Sequence, residues 1–470
     1  MRDRGVTRRL GGAVAILVAL GVGLITSAAP AEAQAPAPKN VIIMFADGAA
    51  PTQFDFGRYS SQVLRRQPFV TTDVVLRQGA MGLLVTSPHG AYVTDSAAAA
   101  SAMSTGFKVA NGAVSITPDG KSPRTVMEAA KAAGKRIGLV TTATVYDATP
   151  VAFAVHSKSR RDSQALVDQL LALEPDVLMG GGAEYFLPEG AGGKRKDGKD
   201  VIAAFRARGY QVATNPAELA AAPAGKLLAL FNDDDMEFEV DRDPAKEPTT
   251  ADMATAALKA LEPSPNGFVL LVENENVDTA GHHNDAASLM RALWAFDDAV
   301  KVALDFQRRH PDTLLIVTGD HETGGFSPTY ALKDLTSSAS ANRFYPGDAE
   351  LRMLERITMS LIRVKEKLGK SPTGEALDQL VAQHFPGFRL DPDLRAQILA
   401  GKTDERNFTY SPQNALGRMI ARQTGYYWGT SGHTPEPVLV GAMGPGADLF
   451  RGYQDNTDFA SHLHRLLQNK

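Results

Sequence analysis

Short, continuous runs of Val, Ile and Leu punctuate the chain, and three of them end in acidic residues. NVIIMFADG closes on Asp47, GFVLLVENENVDTAGHH runs into Glu273, Asp278 and His282, and DTLLIVTGDHE ends with Asp320 and His321. Uninterrupted aliphatic runs of this length predict strands buried on both faces of a parallel sheet. Open α/β sheets bind their ligands at the carboxyl ends of the strands, so the three acidic ends are expected to share one edge. Carboxylates gathered there would repel one another unless cations sat among them, which points to a multi-metal hydrolytic site.

From Asn40 to about Gly325 the aliphatic runs alternate with amphipathic segments, the βαβ rhythm of a doubly wound sheet. TVMEAAKAAG predicts a helix leading into the strand KRIGLVTTA, and LVDQLLALEP a helix leading into DVLMGGG. KLLALFN continues the series, and SLMRALWAFDDAVKVALDFQRR predicts a long helix before TLLIVTG. Over about 330–422 the strand signal vanishes, and four segments with helical spacing replace it, beginning with AELRMLERITMSLIRVKEKLG. VLVGAMGP then resumes a strand and TDFASHLHRLLQ closes with a helix. The pattern therefore predicts one α/β domain over 34–470. Its central sheet is doubly wound and mostly parallel, with helices on both faces and a helical insertion near the rim of the functional edge. No fixed-period repeat is visible.

Composition changes this picture little. The 470 residues are 44% hydrophobic and 22% charged with a formal net charge of -4, which gives no nucleic-acid-binding surface. GGKRKDGKD (192–200) reads as a solvated loop. Residues 1–33 read as an export signal: Arg2, Arg4, Arg8 and Arg9 precede an apolar stretch, and Ala31-Glu32-Ala33 fits a small-x-small cleavage site. Its removal takes away a net +2, leaves the mature chain near -6, and leaves no stable membrane span. Thr7-Arg8-Arg9-Leu10 is a weak twin-arginine candidate, so Sec and Tat export both stay open. Periplasmic or secreted localisation follows. The absence of cysteine removes thiolate zinc sites and cysteine nucleophiles, so any transition-metal site must use His and carboxylate.

Asp278 and His282 are four residues apart, which on a helical turn puts both on one face. His283 beside them points elsewhere, towards the surface or behind the ligands. Asp320-His321 follows a buried strand at a tight Gly319 turn, and His433, in TSGHTPEP, could complete a set of two histidines and one aspartate. In YVTDSAAAASAMSTG, Ser96 is expected at a helix N-terminus, a natural phosphate or oxyanion seat. The same position also fits an N-cap with Asp95 just before it. A G-x-S-x-G elbow is absent, so a nucleophilic Ser96 would need activation by metal.

The segments VTDSAAAASAMSTGFKVANGAV, DATPVAFAVHSKSR, VENENVDTAGHHND, VTGDHETGG and the late GHT resemble the alkaline phosphatase family, in order and across most of the mature chain. The resemblance implies hydrolysis of small-molecule phosphate monoesters through a phosphoserine, with two zinc ions and one magnesium. It makes Ser96 the nucleophile. Asp278, His282 and His433 would hold the zinc that later activates water, and Asp47, Asp320 and His321 the zinc that lowers the Ser96 pKa. Asp47, Thr149 and Glu273 would hold magnesium, with Asp147 orienting water on it. Arg160, rather than its neighbour Arg161, would clamp two phosphoryl oxygens. A phosphodiesterase of the same metal-hydrolase superfamily is the alternative, and a homodimer stays open. One departure is Thr279, where relatives commonly carry Lys, His or Trp directly after the aspartate. It leaves the identity of the third metal open.

Overall fold

The aliphatic runs pair into a ten-stranded sheet in the computed structural model, which describes residues 37–403 and 405–468 of a unit spanning Pro36–Lys470. In chain order its first eight strands are β1 (Asn40–Ala46), β2 (Ala80–Val85), β3 (Arg136–Thr144), β4 (Val177–Gly181), β5 (Gln211–Ala213), β6 (Leu227–Leu230), β7 (Phe268–Asn274) and β8 (Thr313–Thr318). Six short strands follow: β9 (Glu322–Thr323), β10 (Phe326–Pro328), β11 (Ala331–Leu332), β12 (Arg343–Phe344), β13 (Tyr426–Trp428) and β14 (His433–Thr434). β15 (Val438–Met443) and β16 (Gly452–Asp455) complete the sheet. The segment 1–33, read as an export signal, lies outside the described residues.

Across the sheet the order is β16-β2-β15-β8-β1-β7-β3-β4-β6-β5. Every neighbouring pair is parallel except those of β15, which runs antiparallel to both β8 and β2. β1 shows why its run is unbroken. Ile42, Met44 and Ala46 enter one apolar cluster while Val41, Ile43 and Phe45 enter another, one on each face of the sheet. The helices Thr250–Leu261 and Ala286–Arg309 supply Met253, Leu261, Leu293 and Phe296 to the first cluster. The helices Ser96–Thr105, Val126–Ala132, Ser163–Leu173 and Asn456–Gln468 supply Met103, Val126, Leu166 and Leu463 to the second. Helices therefore cover both faces, as the alternating pattern requires.

Registry places the acidic strand ends together. β8, β1 and β7 are adjacent, with Phe45 opposite both Glu273 and Thr318, so Asp47, Glu273 and Asp320 emerge at one edge. Gly48, at φ +77, is the hinge there: a Cβ on it would sit 2.6 Å from Asp278 Cα. Only glycine lets the chain leaving β1 pass so close to the helix that carries Asp278.

Two expectations need correction. The stretch 330–422 is mainly helical, with helices Asp348–Glu355, Leu361–Leu368, Gly374–His384, Pro392–Ala400 and Gln413–Thr424, but it opens with the antiparallel ribbon of β11 and β12. Strands of two residues are too short to leave an alternating signal. Contacts of Tyr330 with Tyr345 and with Arg343 hold the ribbon together. The loop 192–200 is not wholly solvated either. Arg195 is fully buried, bonding Asp168 Oδ1 at 2.7 Å, Asp197 Oδ2 at 2.8 Å and the Tyr185 carbonyl at 3.2 Å. A buried guanidinium needs such partners, and here they anchor a loop whose lysines face solvent.

Candidate functional site

Asp95, with extended backbone, caps the helix Ser96–Thr105 by accepting the Ala98 N–H at 2.9 Å. That excludes the capping reading of Ser96. Its hydroxyl is not spent on capping, and instead lies 3.2 Å from His321 Nε2 at the positive end of the helix. Ser96 is nevertheless almost wholly buried, at 4% exposure. Asp95 has a second task. Its Oδ2 accepts the Gly112 N–H at 2.9 Å and lies 3.6 Å from Arg160 Nη1. Arg160 Nη2 donates to Asp147 Oδ1 at 3.0 Å, so two carboxylates tether the guanidinium beside Ser96. The neighbouring Arg161 is exposed and takes no part.

The short helix Asn276–His283 carries Asp278 and His282 on one face, with His282 Nε2 3.1 Å from Asp278 Oδ2. His433 arrives from β14, its Nε2 3.1 Å from His282 Nε2 and 3.5 Å from Asp278 Oδ1. Each ring is aimed by its other nitrogen: His282 Nδ1 bonds the Ser431 carbonyl at 2.7 Å, and His433 Nδ1 the Thr94 carbonyl at 2.8 Å. Carbonyl partners fix those nitrogens as donors and aim both Nε2 atoms at Asp278. The insertion supports this helix. Asn414 bonds the His282 carbonyl and Asn284, and Tyr410 packs edge-on to His283. His283 thus points away from the ligands but is half-buried against Tyr410 rather than on the surface.

A second group forms around His321, whose Nε2 is 3.1 Å from Asp320 Oδ2 and 3.6 Å from Asp47 Oδ1. The ligand atoms of Asp47, Asp320 and His321 all fall within 4.8 Å of one another, as do those of Asp278, His321 and His433. His321 therefore lies between the two groups. Its Nε2 faces the Asp47 and Asp320 side, and its Nδ1 meets Thr323 Oγ1, which in turn donates to Asp278 Oδ1. Thr149, from the helix Ala148–Ala152, donates to Asp47 Oδ2 at 3.4 Å, and Glu273 accepts from Thr141 at 2.6 Å. All ten residues picked out in the sequence converge on this edge. Thr141, Thr323 and the carbonyls of Thr94 and Ser431 were not, because hydroxyls and backbone carbonyls in such segments carry no distinguishing pattern.

Thr279 turns its hydroxyl to Glu275 Oε1 at 2.5 Å and, with Asp234, Asp235 and Glu237, lines an acidic cavity of about 300 Å³.

Electrostatics indicate what this edge is built to hold. Asp47 Oδ1, Asp320 Oδ2 and Glu273 Oε1 are buried with no hydrogen-bond donor, Asp320 Oδ2 lying near His321 Nε2 without hydrogen-bond geometry. Burial, then the charges of Asp320 and Asp278, hold the Asp47 carboxyl well above its usual range. Burial raises Asp320 to about 7, aided by Asp278, and raises Glu273 to about 8. Burial also holds His321 and His433 low, as neutral imidazoles. For His282 burial is outweighed by Asp278, which lifts it to about 9. Bare carboxylate oxygens beside the neutral imidazoles of His321 and His433, with His282 holding a proton that a cation would displace, form a donor set suited to divalent cations of the zinc and magnesium type.

The sheet and this edge define a metal-binding α/β hydrolase whose polar centre also offers a serine and a tethered arginine. The chain belongs to the alkaline phosphatase family, matching it over residues 38–469. Alkaline phosphatase 3 of Bacillus subtilis is 30% identical over 97% of this chain and 96% of its own length. The streptomycin-6-phosphate phosphatase of Streptomyces griseus is 33% identical over 91% of this chain and 90% of its own. The crystal structure of Thermus thermophilus alkaline phosphatase superposes with a TM-score of 0.83 at 29% identity, covering 93% of each chain. The protein is a metal-dependent phosphatase of small phosphate monoesters. Among the described residues no helix is long and apolar enough to cross a membrane.

Proposed function

We propose that this phosphatase is exported and works through a covalent phosphoserine on Ser96, with two zinc ions and one magnesium. The observation that carries the reading is the set of orphaned buried oxygens on Asp47, Asp320 and Glu273 at the edge where Ser96 meets His321. Asp278, His282 and His433 would hold one zinc, Asp47, Asp320 and His321 the other, and Asp47, Thr149 and Glu273 the magnesium. When bound, the ions supply Lewis-acid charge that lowers the proton affinity of Ser96 and offsets charge growing on the phosphoryl oxygens.

Ser96 Oγ attacks phosphorus, the ester alcohol leaves with its oxygen, and water then hydrolyses the phosphoserine to release inorganic phosphate. Arg160 clamps two non-bridging oxygens with its fork, aimed by Asp147 and Asp95. The N-terminus of the helix Ser96–Thr105 adds its dipole to the same anion. Residues 1–33 would direct export and be removed. The zinc and magnesium assignment is tested by stripping the protein with EDTA and adding ions back singly and together. Recovery by zinc with magnesium, and elemental analysis finding both, supports it; full activity after thorough chelation contradicts it.

A further inference from the structure

Glu322 follows His321 directly and is 1% exposed, yet it touches no phosphoryl-binding group. Its Oε1 accepts from Gln53 Nε2 at 2.6 Å and from the Phe326 N–H at 3.0 Å. Its Oε2 accepts from the Gly325 N–H at 3.0 Å and from Thr434 Oγ1 at 2.6 Å. Four donors fill the lone pairs of one carboxylate, a role for which an acceptor-only group is required. Three segments meet there. Gln53 belongs to the helix Pro51–Ser60, just after Asp47; Gly325 and Phe326 form the turn after His321; Thr434 is next to His433.

The backbone link between these segments is slight. β9 and β14 pair through only two residues each, His433 opposite Thr323 and Thr434 opposite Glu322. A ladder that short does not hold a ring nitrogen in place by itself. Gln53 adds to the brace, accepting the Ala50 N–H at 3.3 Å and reaching the Thr323 carbonyl at 3.4 Å.

We propose that Glu322 is a positioning residue that locks the Asp47, His321 and His433 arms in one register, so that their ligand atoms are set before metal enters. The proposal rests on the assignment of those residues as metal ligands. Loss of a partner behind the ligands commonly lowers metal affinity by roughly 10- to 100-fold.

The test is Glu322→Gln, which keeps shape but places an amide NH2 against N–H donors. Zinc affinity of the purified holoenzyme is measured by titration with a competing chelator, alongside the melting temperature of the metal-free protein. Asp297→Asn is the matched control. That buried carboxylate accepts from the Val70 and Thr71 N–H groups and the Thr71 hydroxyl, at 2.7–2.8 Å, on the helix Ala286–Arg309. The expected result is zinc binding weaker by about 10- to 100-fold in Glu322→Gln, and unchanged in Asp297→Asn although both melt lower. Thr434→Val should weaken zinc by a smaller factor and Thr434→Ser should restore it, which carries the test if Glu322→Gln does not fold. Equal zinc affinity in wild type, Glu322→Gln and Thr434→Val would overturn the proposal. A wild-type protein that binds no zinc would overturn the ligand assignment first, and this proposal with it.

Discussion

Replacing Arg160 by alanine gives the sharpest view of how the site recognises a monoester. Its side chain is 27% exposed, tethered at 3.0 Å to Asp147 and 3.6 Å from Asp95. A hydrogen bond to a charged group contributes about 1.5–3 kcal/mol, and partial exposure argues for the lower end. Two such bonds to phosphoryl oxygens then contribute about 3 kcal/mol, or roughly a 100-fold loss in kcat/KM for p-nitrophenyl phosphate. A diester carries one negative charge fewer and gains less from the fork, so bis(p-nitrophenyl) phosphate should lose only about tenfold. Arg160→Lys should recover part of the loss, since it restores a charge but not the planar pair of donors. Asp147→Asn, which loosens one tether, should fall between wild type and Arg160→Ala. The assay is kcat/KM for both substrates with zinc and magnesium saturating. An equal loss on monoester and diester, or none on either, would refute the assigned role, and wild-type turnover faster on the diester would favour a phosphodiesterase.

Further outcomes follow from the same geometry. Gly48→Ala forces a left-handed residue and a Cβ 2.6 Å from Asp278 Cα, so urea denaturation should show a loss of about 2–3 kcal/mol together with lower kcat; unchanged stability and rate would contradict the close approach. The metal-free protein should lose stability as pH rises from about 6.5 to 8; below about 6.5 the low-held imidazoles of His321 and His433, which take up protons on unfolding, act in the opposite direction. Glu273 at about 8 and Asp320 at about 7 keep protons in the folded state that the unfolded chain has already released, so unfolding is favoured with rising pH across that window. Calorimetric melting after chelation checks this, and a melting temperature that climbs over the window would contradict it. Zinc binding near neutral pH should therefore release protons, readable by titration calorimetry in buffers of different ionisation enthalpy, and a proton-silent binding event would count against the carboxylate ligands.

The central strands were legible because β1, β7 and β8 are buried on both faces and so read as unbroken aliphatic runs. Their acidic endings gave the site edge directly, and the i,i+4 spacing of Asp278 and His282 predicted the shared face. Other features had no local signal. The reversed direction of β15 depends on how a strand re-enters the sheet after a long excursion, not on its own residues. His433 looks like any surface histidine until β14 pairs with β9. Glu322 and Thr323 lie in the stretch that carries His321, yet their partners, Gln53 and Thr434 for one and Asp278 for the other, are remote in the chain, so only the fold shows what they hold. Ser96 shows the opposite case. Its capping reading could be excluded only by finding that Asp95, one residue earlier, makes the cap.

The most direct test of the account is to trap the covalent intermediate. Metal-loaded protein is mixed with p-nitrophenyl phosphate at acidic pH, quenched, digested and mapped by mass spectrometry. The account predicts one added phosphoryl group on the peptide holding Ser96, and neither label nor rapid turnover in Ser96→Ala. A label on another residue, or full hydrolysis by Ser96→Ala, would contradict it.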